Sequence, residues 1–137
     1  MSIELKGLED ILKGLESMGD MEGINLALGK ACALVERSAK QKAPKKEGTL
    51  RNSIKSYVDN GVGVVYTPLE YAPYVEYGTG LYAEEGGRKD VPWAFEDEET
   101  GELIWTAGQH PQPFMRPALN ENRQEILRIL KEGIQND

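Results

Sequence analysis

Between residues 21 and 42 the apolar side chains fall at helical spacing. Ile24, Ala27, Leu28, Ala31, Leu34, Val35 and Ala39 form one stripe, and Asn25, Lys30, Glu36, Arg37 and Lys40 lie off it. Pro44 ends that helix, because proline disfavours helical geometry in the residue before it. Upstream, Leu5, Leu8, Ile11, Leu12 and Leu15 predict a second helix after a short strand over residues 2–5, weakened by Gly7 and Gly14 and ended near Gly19. The period then changes. Residues 53–59 alternate, with Ile54, Tyr57 and Val58 as bulk, Asn60-Gly61 signals a tight turn, and residues 62–67 are β-branched, which together predict a hairpin in which Leu50 and Ile54 enter the sheet.

Residues 71–77 read as a strand or a helical turn, interrupted by Pro73 and closed by Gly78-Thr79-Gly80. Trp93, Ala94 and Phe95, an acidic turn, and Leu103, Ile104 and Trp105 predict a second hairpin, with residues 81–91 as a mobile loop. A last helix opens at Arg116-Pro117. Leu119, Ile126, Leu127, Leu130 and Ile134 supply its buried face, and Glu121, Arg123, Glu125, Arg128 and Lys131 its wet one. The expected fold class is α+β: N-terminal helices, a short antiparallel sheet with a long mobile hairpin arm over residues 81–108, and a C-terminal helix packed on the sheet. The length of 137 residues suits a single domain with an ordinary hydrophobic core.

Composition narrows the chemistry. Cys32 is the one cysteine and His110 the one histidine, which excludes an intrachain disulfide and multi-cysteine or histidine-rich metal sites. A Cys/His nucleophilic pair is formally available, but Cys32 falls on the helix interior, where a cysteine acts as a small hydrophobe. No phosphate loop or dinucleotide fingerprint is present, and Gly78-Thr79-Gly80 lacks the further glycine that a nucleotide loop needs. The run Glu96 to Glu99 offers carboxylates to a divalent cation, yet adjacent carboxylates on a turn are ordinarily solvated. An enzyme is therefore not expected, nor a cofactor or metal.

The net charge of −7 argues against a general DNA binder. Charge is unevenly placed: Lys40, Lys42, Lys45, Lys46, Arg51 and Lys55 form a basic stretch, and Glu84, Glu85, Asp90, Glu96, Asp97, Glu98, Glu99 and Glu102 dominate an acidic one. These are two solvated surfaces or complementary faces of neighbouring subunits. No apolar run approaches the roughly 18 residues of a membrane span, and the N-terminus lacks a signal-peptide layout, so a cytoplasmic protein is expected.

Three stretches are too particular to be punctuation: APKKEGTLRNSI over residues 43–54, YAPYVEYGTG over 71–80, and TAGQHPQPFMRPALNENR over 106–123. In this order, between two helices, they resemble the tail-completion or head–tail joining family of long-tailed phages, a family of morphogenesis and minor tail proteins. In that family the first helix ends in Ala-Pro, followed by Thr-Gly and Leu-Arg-x-Ser-Ile. Ala43-Pro44 and Leu50, Arg51, Ser53 and Ile54 match, while Gly48-Thr49 reverses the commoner order. Tyr71, Ala72, Tyr74, Glu76, Gly78 and Thr79 match the second motif, and the run from Gln112 to Leu119 matches the third.

The resemblance implies a structural virion-assembly protein of a tailed bacteriophage or prophage, a tail terminator or neck component that forms a ring, commonly sixfold. Its partners would be itself, tail-tube proteins and head-connector proteins, with DNA passing through the channel without specific binding and no membrane involved. It would act in the bacterial host cytoplasm during assembly and reside in the virion neck or tail. The alternative is a small non-enzymatic regulatory protein that binds a peptide or protein partner.

The residues themselves suggest where contacts form. Tyr71, Tyr74 and Tyr77 put apolar bodies with polar tips on one segment, suited to an interface, with at least one of the three expected in the core. Arg51 offers a planar charged fork, and Glu76 is expected to pair with Arg51 or Arg116. Trp93, Phe95 and Trp105, with Ile104, make the arm apolar and ready to order against a neighbour. Phe114 is expected to be core, fixing the docking angle of the last helix, and His110 to be a polar loop residue.

Overall fold

The long amphipathic stripe becomes helix α1 (Met21–Lys42), the centre of the larger part of the molecule. In the computed structural model, which describes residues 1–5, 21–45, 48–84, 93–96 and 100–135, Ile24, Ala27, Leu28, Ala31, Cys32, Val35 and Ala39 of α1 are all buried. The expected N-terminal helix, which was to end near Gly19, lies outside the described residues. Burial of each large aliphatic on this stripe stabilises the fold by about 1.5–3 kcal/mol. The several alanines let other elements approach the α1 backbone closely. The chain divides into two compact units, one of Met1–Leu69 with Phe114–Asp137 and one of Glu70–Pro113.

In the first unit, strands β1 (Ser2–Glu4), β2 (Lys55–Asp59) and β3 (Val62–Tyr66) form an antiparallel sheet in the order β1-β3-β2. The β2–β3 hairpin turns at Asn60 (φ 51°) and Gly61 (φ 85°), the two positive φ values that make Asn-Gly the favoured two-residue turn. The Gly61 N–H donates to Asn25 Oδ1 of α1 at 2.9 Å, so the helix holds the turn. One sheet face packs on α1. Val65 is fully buried, and a Cβ on Gly63 would stand 2.5 Å from Cys32 Sγ, so only glycine lets strand and helix meet there. On the other face Tyr57 and Tyr66 meet edge to face, ring centroids 5.7 Å apart.

Between α1 and the sheet lies a short helix, α2 (Gly48–Ser53), which corrects the expectation that Leu50 enters the sheet. Leu50 is buried on that helix and Ile54 is buried just before β2 begins. Their spacing of four puts two residues on one face of a helix and equally on one face of a strand, so periodicity alone leaves both readings open. The hydroxyl of Ser53 donates to Leu50 O at 2.6 Å and lies 2.7 Å from Thr67 Oγ1.

The C-terminal element is two helices, α3 (Met115–Glu121) and α4 (Arg123–Gln135), with a break at Asn122. Phe114, Met115, Ala118, Ile126 and Leu130 are buried, as expected for Phe114. These helices rest on α1, which itself covers the sheet, so the expected packing of the C-terminal helix on the sheet runs through α1. The Asn122 amide donates to Ser38 Oγ at 3.0 Å and to Ala118 O at 2.7 Å, and Lys42 pairs with Glu121 at 2.6 Å.

The second unit holds a short helix, Ala72–Tyr77, and a two-stranded antiparallel ribbon of β4 (Trp93–Glu96) and β5 (Leu103–Thr106). The fold class is α+β, with the second hairpin where the sequence predicts it. Residues 85–92 and 97–99 of the arm, on which its expected mobility chiefly bears, lie outside the described residues.

Candidate functional site

Period three decides the fate of the tyrosine segment. Tyr71, Tyr74 and Tyr77 recur every third residue, and with Pro73 in the first turn the segment closes as the helix Ala72–Tyr77 rather than a strand. All three tyrosines are exposed, Tyr74 at 59%. This corrects the expectation that at least one is core. Ala72 and Glu76, four residues apart, take the buried side instead. Glu76 is 0% exposed, and among the described residues no buried side-chain nitrogen or oxygen lacks a hydrogen-bond partner. A carboxylate held that way serves the scaffold, since stripping its partners would leave an uncompensated buried charge.

The second and third sequence motifs meet directly. Thr79 N–H donates to Gln109 O at 2.9 Å, and Gln109 N–H donates back to Thr79 Oγ1 at 2.9 Å. Leu81 N–H bonds Ala107 O at 2.9 Å and Gln112 N–H bonds Val75 O at 2.8 Å, extending the seam on both sides. Gly78 (φ 83°) ends the helix by donating to Tyr74 O, and Gly80 (φ 61°) opens a 3-10 turn, Gly80–Tyr82. Gly78-Thr79-Gly80 is therefore a latch that fastens the segment 107–112. The Gly78 and Thr79 amides are consumed inside the protein, which leaves them unavailable to cradle a phosphate.

His110 stacks on Tyr82 with ring centroids 3.9 Å apart and is exposed, as expected of a polar loop residue. The stack with Tyr82, together with exposed Leu81, extends the aromatic surface beyond the three tyrosines; nothing in local sequence spacing marks this. On the β4–β5 ribbon Leu103, Ile104 and Trp105 are also exposed, Trp105 at 67%. Trp93 and Phe95 lie on β4, but their side chains fall outside the described residues. Of the other expected contact residues, Arg51 is exposed on α2 and Arg116 is half-buried on α3, both in the first unit.

The unit Glu70–Pro113 carries ten of the 23 acidic residues and two of the 16 basic ones, a net charge of −8, leaving the first unit at +1. It thus combines exposed aromatic rings with concentrated negative charge, a chemistry suited to a protein contact surface.

Burial, helped by the nearby Glu36 carboxylate and opposed by a hydrogen bond to the Val64 backbone, raises the Cys32 thiol to about 11. A thiol so protonated is a poor nucleophile. Among the described residues no cluster of three or more His, Cys, Asp or Glu side chains could hold a metal ion, and no helix is long and apolar enough to cross a membrane.

Residues 9–78 match the model of the HK97-gp10-like family, described as bacteriophage HK97-gp10, putative tail-component. The match takes in α1, the whole of the first sequence motif and the second as far as Gly78. No curated protein and no solved structure matches the chain significantly. With half of its length matched, the chain belongs to the HK97-gp10-like family of bacteriophage tail components.

Proposed function

We propose that this protein is a structural virion-assembly subunit that closes with copies of itself into a ring, commonly sixfold, where the tail joins the head, and that it catalyses no reaction. Family membership supports the tail assignment. The observation that carries the assembly reading is the acidic unit with Tyr71, Tyr74, Tyr77, Tyr82 and Trp105 exposed. Large rigid rings with polar tips bury much area at low entropic cost when a partner covers them. Neighbouring tail-tube and head-connector proteins would bind the ring's two ends, in the host cytoplasm during assembly and then in the virion neck or tail. A net-negative subunit suits a channel that DNA must traverse without being held.

The test is the mass of the purified chain over a wide concentration range, with negative-stain imaging of the assembled fraction. Annular particles of one diameter are expected, along with defective tails when the protein is withheld from assembly. A chain that remains single at every concentration, or infectious particles made without it, would overturn the reading and favour a monomeric regulator.

A further inference from the structure

A ring built head to tail needs two unlike patches on each subunit, because the surface that is offered differs from the surface that receives. Two described surfaces carry matching chemistry. The first is on the β4–β5 ribbon. Side chains alternate along β5, so Leu103 and Trp105 share a face, and they are 70% and 67% exposed. The strand register sets Ala94 opposite Trp105 and Glu96 opposite Leu103 on that same face. This is an apolar knob with a carboxylate beside it.

The second surface is a cleft of about 340 Å³ between α1 and α4. Buried Ala27 lies within it, Leu26 and Ile129 line it, and Lys30 stands one turn from Leu26. Leu26 is 66% exposed, a large apolar side chain on the face of α1 that otherwise carries Glu22, Lys30 and Arg37. Arg128 and Glu132, which also line the cleft, are paired with each other, and Arg128 is bonded to Glu125 as well. Lys30 has no ion-pair partner among the described residues and is the cation available to an incoming acid. This is an apolar socket with an ammonium beside it.

We propose that the Leu103 and Trp105 knob of one copy seats in the α1–α4 cleft of the next, with Glu96 meeting Lys30. The inference rests on the ring reading above and names its repeating contact. Apolar faces meet and the flanking charges are opposite, which fixes orientation as well as partner. One tryptophan covers roughly 150–250 Å² of the roughly 800 Å² that each side of a stable interface buries. A single knob and socket therefore associates weakly, and closure of the ring supplies the remaining stability.

Two variants with complementary defects test it. Trp105→Ser removes the knob and keeps the cleft; Leu26→Glu blocks the cleft and keeps the knob. Both positions are exposed, and circular dichroism with a denaturation midpoint checks that each variant folds. Each alone is expected to associate about 30-fold more weakly than the parent or worse. Mixed, they should form one-to-one dimers that grow no further, since only one good pair of patches exists. In parallel, Trp105→Cys in one chain and Leu26→Cys in another should form an intermolecular disulfide under mild oxidation. Cross-linked pairs without rings support the knob and socket and count against the ring. Rings that form equally well with Trp105→Ser overturn the knob and socket and leave the ring standing. No cross-link from the mixed cysteine variants, whatever else assembles, also overturns it.

Discussion

Gly133 of α4 lies against Ala27 of α1 so closely that a Cβ on it would stand 2.6 Å from Ala27 Cβ. The two helices approach at a point where neither side contributes more than a methyl group. Asn122, bonded to Ser38, fixes the start of α4, and Gly133 lets its far end close on α1. Gly133 and Ala27 both line the cleft between the two helices.

Replacing Gly133 with alanine therefore opposes two effects. Alanine gains up to about 1 kcal/mol of helix propensity over glycine. The methyl-to-methyl overlap cannot be relieved by a side-chain rotation, so the helices must part, at a cost of about 1–3 kcal/mol. The overlap wins, and Gly133→Ala should lower the urea midpoint. Gly29, on the same helix as Ala27, has nothing within 4 Å of its would-be Cβ. Gly29→Ala should raise the midpoint by about 0.5–1 kcal/mol of stability. Equal and positive shifts from both variants would mean that α4 does not close on α1 as described.

Gly108 is the residue on which the latch depends. Its φ is 122°, and a Cβ would fall 2.1 Å from Thr79 O. Gly108→Ala should cost about 1–3 kcal/mol locally from backbone strain alone. Hydrogen exchange should report it as faster exchange at the Thr79, Leu81 and Gln109 amides, with the β2–β3 amides unaffected. Unchanged exchange at those three amides would contradict the latch.

The Cys32 thiol titrates near 11 in the folded protein against about 9 when unfolded. Below pH 9 the thiol is neutral in both states and its burial is fully tolerated. Between pH 9 and 11 the unfolded chain ionises first, so stability should fall as pH rises through that window, by about 1–3 kcal/mol. Cys32→Ala should remove that part of the loss. At pH 8 a thiol reagent should label Cys32 only as fast as the protein unfolds, and rapid labelling of the folded protein would show the thiol to be accessible.

Tyr74 makes the cleanest separation of fold from assembly. It is exposed on a short helix, so Tyr74→Ser should change folding stability by no more than about 0.5 kcal/mol. If the tyrosine face is a contact, the same change should weaken assembly or partner binding by about tenfold or more. Loss of stability without loss of assembly would place Tyr74 in the scaffold.

Sequence alone settled what depends on neighbours in the chain. The α1 stripe repeats at one period over many residues, and the Asn60-Gly61 turn needs only two residues that tolerate positive φ, so both were legible. The first motif and the second as far as Gly78 fall within the family match, because residue order itself carries that information. Tertiary structure decided what depends on which surface arrives. Leu50 and Ile54, four apart, suit a helix or a strand equally, and the fold put Leu50 in the helix α2 and left Ile54 buried between α2 and β2. Tyr71, Tyr74 and Tyr77 are apolar enough for a core, yet Ala72 and Glu76 took the inner side and left the rings outside. The bonding of Thr79 to Gln109 and the nearness of Gly133 to Ala27 join residues far apart in the chain. No local period encodes such pairs, because they form only when burial of the whole apolar surface brings the two segments together.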